Sequence, residues 1–144
     1  MLSLIVAVLV GYSLSTMINA SVSVSTLVGF GVEVSLLDRL DMIVKEWLGL
    51  GTTYLPLYLV LHAVCFWVLG RLLKNIALTP FVARATYAGA GALSLMALYL
   101  TFDTVMGLGG VVVASTRTAA GLIAHIATGA LSGFLFRWLC SSSD

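Results

Sequence analysis

Charge is what this chain has least of. Lys, Arg, Asp and Glu make up 9% of its 144 residues, against about 25% in soluble globular domains. That scarcity excludes an ordinary water-facing surface. There is no basic run and the net charge is only +1, so the electrostatic footprint of a nucleic-acid binder is missing. Cysteine is also scarce. Cys65 lies inside an apolar run and Cys140 at the C-terminal end, too far apart in depth to be bridged, and no Cys/His cluster has zinc-ligand spacing. The glycines build no phosphate loop, because no Lys-Ser/Thr follows them at the required distance. Nothing resembles a nucleophile elbow, and a thiol in lipid stays protonated and inert. The chain is expected not to be an enzyme.

Apolar residues make up 60% of the chain and gather into long runs. Three of them reach spanning length and a fourth at the N-terminus fits the same reading. The expected architecture is an all-α integral membrane protein. It forms a single membrane domain over 1–144, with spans at about 2–20, 53–73, 80–104 and 118–139. A signal peptide ending at Ala20 is the rival reading of the first run. No Lys or Arg precedes that run, however, so the basic leader segment is absent and a retained helix is expected. Residues 21–34 read either as a short strand, from the Ser/Val alternation, or as an extension of the first helix.

Residues 35–50 read as an amphipathic helix lying in the membrane interface. Leu36, Leu37, Leu40, Ile43, Val44, Trp47 and Leu48 follow three-and-four spacing, while Asp38, Arg39, Asp41, Lys45 and Glu46 fill the rest of the wheel. Ser35 with Asp38 has the form of a capping box. Trp47 is expected at headgroup level, and docking onto a partner is the alternative use of this helix. Residues 105–116 form a Gly-rich apolar connector.

Charge orients the spans. Arg71, Lys74, Arg84 and Arg137 fall on one side with Asp144, and the other side holds most of the acids. The positive-inside rule then places both termini in the cytoplasm, and a bacterial inner (plasma) membrane is the expected location.

Small residues line several helix faces. Ser3, Ala7, Gly11, Ser15 and Asn19 do so in the first span, and Thr86, Ala90, Ser94, Ala97 and Thr101 in the third. In the fourth, every fourth residue reads Arg117, Gly121, His125, Gly129, Gly133, Arg137, a strip against which another backbone, or a flat ligand, can lie close. The two histidines, His62 and His125, each fall eight residues into a span entered from the outer side. Equal depth would suit a bis-histidine haem b, with Gly121 and Gly129 making room for the ring. The simpler reading has each imidazole hydrogen-bonded to a neighbour's hydroxyl, from Ser13, Ser15, Ser94, Tyr58, Tyr99 or Thr101. A third reading adds Asp103 to make a polar path from the outer face. In order, the expected functions are a non-enzymatic accessory, scaffold or oligomer-forming component, then a haem b electron carrier, then an oligomeric channel or transporter. The lipid bilayer and other membrane subunits, or further copies of the chain, are the expected partners, and no nucleic acid is.

Overall fold

The computed structural model describes residues 1–104 and 114–141. Five α-helices and one 3-10 turn make up its secondary structure, with no strand among the described residues. The helices are α1 (Leu2–Gly29), α2 (Leu36–Gly51), α3 (Tyr54–Leu73), α4 (Pro80–Thr104) and α5 (Ala119–Ser141), and the turn is Ala114–Arg117. Helices α1, α3, α4 and α5 are long and apolar enough to cross a membrane. Most of the Gly-rich connector, residues 105–113, lies outside the described residues, as do Asp144 and the side chains of Asp103 and Arg117.

α1 runs well past its expected end. The hydroxyls of Ser21, Ser23, Ser25 and Thr26 donate to carbonyls four residues back, at 2.7 to 3.0 Å. Their polar groups are satisfied inside the helix, so the Ser/Val alternation needs no strand partner. Gly31, with φ +83°, then stops the helix, in a conformation that a side chain disfavours. Its amide donates to Val28 O at 2.9 Å, and Val32 N to Leu27 O at 3.1 Å.

α2 starts on the expected capping box. Asp38 N donates to Ser35 Oγ at 3.2 Å, and Ser35 N to Asp38 Oδ2 at 3.1 Å. The Ser35 hydroxyl and amide hold the Asp38 carboxyl below its usual range. Asp41 pairs with Lys45 at 2.6 Å on the exposed side. The helix has three sectors. Met42, Ile43, Glu46 and Leu50 are half-buried against the protein, Asp38, Arg39, Asp41 and Lys45 are exposed, and Leu36, Leu37, Leu40, Val44 and Leu48 form an exposed apolar sector. α2 therefore runs back along the second half of α1 as well as offering an apolar face to its surroundings.

The four spanning helices close in the order α1–α5–α4–α3, leaving α3 and α5 diagonal to one another. α4 and α5 meet backbone to backbone. A methyl group at Gly129 would overlap the Gly91 carbonyl, one at Gly91 the Gly129 carbonyl, and one at Gly133 the Tyr87 carbonyl. Across the diagonal the gap is filled by rings. Tyr54, Tyr58, His62 and Phe66 stand at four-residue spacing on α3, all buried. Neighbouring rings touch along this ladder, and Phe66 stacks on Phe136 of α5 at 4.9 Å between centroids. Gly11 of α1 leaves space for the meeting of the Tyr58 and Ser132 hydroxyls, which bond at 3.0 Å.

Candidate functional site: a buried chain of hydroxyls around His125

The most polar part of the interior surrounds His125, whose side chain is fully buried. Three elements build its pocket. α1 brings Ser15 on the face it shares with Ala7 and Gly11, all buried. The 3-10 turn brings Ser115, folded back over the start of α5 because Gly121 has no side chain to collide with the Ser115 carbonyl. Thr118 caps α5 just below, accepting from Gly121 N at 3.1 Å. Arg117 thus belongs to the turn before α5 rather than to the stripe along it.

Both ring nitrogens of His125 are engaged. Nδ1 lies 2.7 Å from Ser15 Oγ, and Nε2 lies 2.5 Å from Ser115 Oγ. A neutral imidazole has one donor and one acceptor, so one serine gives a proton to the ring and the other receives one. Ser15 Oγ continues to Tyr54 OH at 3.2 Å, and Tyr54 OH bonds Tyr99 OH of α4. On the other side Ser115 N donates to Asn19 Oδ1 at 3.0 Å, and Asn19 Nδ2 donates to Glu46 Oε2 at 3.1 Å. Tyr12 OH donates to the Trp47 carbonyl, and Trp47 Nε1 donates to Ser13 Oγ at 3.1 Å. The chain thus ties α1, α2, α3, α4, α5 and the turn together. Chemically it can reorient protons among neutral groups. Toward α4 it reaches Tyr99.

Glu46 gives one end of this chain a pH dependence. Burial against α1 raises its carboxyl pKa above the usual range, and the hydrogen bonds from Asn19 and Ser23 only partly offset this. A group raised on folding stabilises the folded form below its unfolded pKa, and that contribution is lost as pH rises through the folded value. Docking of α2 should therefore weaken as pH rises from the ordinary glutamate value of about 4.3 toward neutrality. Glu46→Gln should remove that dependence. Hydrogen exchange across α2 between acid and neutral pH measures it, and a wild type whose α2 protection rises with pH would contradict the assignment.

His62 sits differently. Its Nδ1 lies 2.9 Å from the Tyr58 carbonyl one turn back, and Nε2 is buried without a hydrogen-bond partner. It is stacked under the Tyr58 ring at 4.3 Å. The two histidines are not level. Tyr54, eight residues before His62, already reaches the Ser15 hydroxyl that binds His125. His62 is therefore roughly 12 Å deeper at about 1.5 Å rise per residue. Equal distance from the start of each span does not give equal depth, because α5 is preceded by a turn that folds back over it while α3 enters beside the middle of α1.

A bis-histidine haem b does not fit these residues. A shared iron needs an imidazole nitrogen from each side at one level, and both nitrogens of His125 are taken by serines. The spaces at Gly121 and Gly129 are filled by the backbones of Ser115 and Gly91. Among the expected hydroxyl partners, Ser15 does bind a histidine. Ser13 accepts from Trp47 instead, and Ser94 and Thr101 donate to carbonyls of their own helix. Sequence reasoning missed Ser115, and placed Asn19 on the small-residue face of the first span without a partner. It also passed over the four-residue spacing of Tyr54, Tyr58, His62 and Phe66, a signal plainly present. Gly129 and Gly133 are buried against α4, while Trp47, Asp38, Arg39 and Lys45 lie on exposed parts of α2.

No family model, curated protein or solved structure matches the chain.

Proposed function

We propose that this is a non-enzymatic accessory or scaffold component of a membrane assembly, which receives a partner's transmembrane helix on the outer face of α4. The observation that carries the reading is Gly89. Glycines 11, 91, 121, 129 and 133 each accommodate a neighbour that a methyl group would overlap, whereas a methyl group at Gly89 would meet nothing within 4 Å. It stands one turn from Ala85 on an exposed row that runs Phe81, Ala85, Gly89, Leu93, Ala97, so the two small residues form a notch between Phe81 and Leu93. The exposed rows of α3 and α1, with Val60, Val64, Trp67, Ile5 and Leu9, have no such notch. Bulky apolar rows suit lipid chains, while small-residue rows let a second helix come close. The serine partners of His125 make the buried histidine a fixture of packing rather than a ligand. The exposed apolar sector of α2 is suited to the headgroup boundary. Charge asymmetry favours a bacterial inner (plasma) membrane with both termini cytoplasmic.

Disulfide or maleimide crosslinking in native membranes tests the docking face. With Cys65 and Cys140 replaced by serine, Gly89→Cys should give one discrete crosslinked species and Val64→Cys on α3 should give none. Equal yields at the two positions, or no product at position 89, would count against the reading.

A further inference from the structure

The end of the bundle that holds the α3–α4 connection is basic. Arg71, Lys74, Arg84 and Arg137 belong to it, whereas the acids from Glu33 to Asp103 belong to the opposite end. A cavity of about 210 Å³ opens there between Gly70 and Leu73 of α3, Ile76 and Leu78 of the connection, Tyr87 of α4 and Arg137 of α5. Arg137 is the one charged group in its lining among the described residues. Among the described residues the only ion pair is Asp41–Lys45, far away on α2, and Arg137 meets no carboxylate among them. Arg84 stands beside the same end of α5. Its Nη2 reaches Ser141 Oγ only at 3.5 Å, and its Nε is buried without a hydrogen-bond partner. Ser141 is one helical turn beyond Arg137, which puts two under-used guanidinium groups at one corner of the bundle.

We propose that this cavity binds the phosphate of an anionic lipid headgroup, with Arg137 of its lining as the cation. Three features converge on that ligand. The cavity is smaller than the roughly 300–1,000 Å³ of pockets for drug-sized molecules, so it takes a headgroup rather than a whole ligand. A guanidinium is a planar fork that matches phosphate oxygens in pairs. Leu73, Ile76, Leu78 and Ala83 set apolar side chains beside Tyr87 and Arg137 in the lining, a mixed wall that suits an ester carrying acyl chains next to its phosphate. Gly70 contributes by absence. A methyl group there would stand 3.2 Å from the Tyr87 hydroxyl and would narrow the space between α3 and α4.

Native mass spectrometry of the detergent-purified full chain tests this, with phosphatidylglycerol, phosphatidylcholine or inorganic phosphate added. The unaltered protein should retain one phosphatidylglycerol in preference to phosphatidylcholine. Arg137→Gln should lower that retention about fivefold, the scale of one basic residue near an anionic membrane surface. Arg71→Gln should leave it unchanged, since that guanidinium lies over the Trp67 ring, 5.4 Å from its centroid, and is not part of the lining. Displacement of phosphatidylglycerol by phosphate, or retention of phosphate without lipid preference, keeps the anion site and assigns it to a free phosphate. Equal retention of the two lipids with no effect of phosphate overturns the proposal, and so does an equal loss in the Arg71 and Arg137 variants. The first comparison needs no variant, so misfolding of Arg137→Gln cannot shelter the proposal.

Discussion

Leucine at position 133 should separate α4 from α5 and destabilise the fold more than any other single change along the spans. The reason is geometric. A single methyl group at Gly133 already overlaps the Tyr87 carbonyl oxygen and comes within 3.0 Å of Ala88 N, so no rotamer choice relieves the collision. The two backbones must move apart, and the Gly91–Gly129 crossing one turn away must open with them. Overpacked cores cost about 1–3 kcal/mol, and occasionally more where backbone has to shift. Gly133→Leu and Gly129→Leu should lie at the top of that range, and Gly133→Ala within it. Gly89→Leu, on the open face of the same interface helix, should change monomer stability by less than about 0.5 kcal/mol, as surface substitutions usually do. Leu131→Ile should also do little. Thermal or denaturant unfolding in detergent measures the set. Equal losses at positions 89 and 133 would show that the glycine row of α5 does not pack against α4.

His125→Ala should be the second most damaging substitution, and His62→Phe should be nearly harmless. Removing the His125 ring breaks two buried hydrogen bonds, leaves Ser15 with Tyr54 alone and Ser115 Oγ without its ring partner, and opens a void where Tyr99 packs at 5.6 Å between centroids. Interhelical bonds in lipid average about 0.6 kcal/mol each and reach about 1.7. Two of them plus the void should therefore cost about 2 kcal/mol or more. His62 offers less to lose. Its one bond is to its own helix and its Nε2 has no partner, while a phenyl ring keeps the stack on Tyr58 and the edge contact with Phe66. The protein purified from haem-replete cells should show no reducible Soret band. A band abolished by either histidine substitution would falsify the packing account of both residues.

Much of this was legible in the sequence, for identifiable reasons. Spans are long and their apolar content is dense, so α3, α4 and α5 emerge within a few residues of their expected limits. The capping box at Ser35 and the Asp41–Lys45 pair are local, fixed by neighbours three or four residues away. The end of α1 was harder to read, because hydroxyl side chains satisfy themselves inside a helix as easily as they face a strand partner. The partners of His125 were only half legible. Ser15 lies on a periodic face, but Ser115 reaches the ring through a turn whose path no helical period describes. Vertical stagger is likewise invisible to span limits, which is why two histidines eight residues into their spans end up at different levels.

The long reach of the hydroxyl chain also sets an order in time. Ser15 meets His125 across 110 positions, and Asn19 meets Ser115 across 96. At synthesis rates of about 5–20 residues per second, α1 waits roughly 5–20 seconds for the segment that completes it. During that interval Ser15 and Asn19 lack their native partners on α5 and the turn. A chain stopped before α5 would leave them so permanently. The packing of the first helix is thus completed only by α5 and the turn before it.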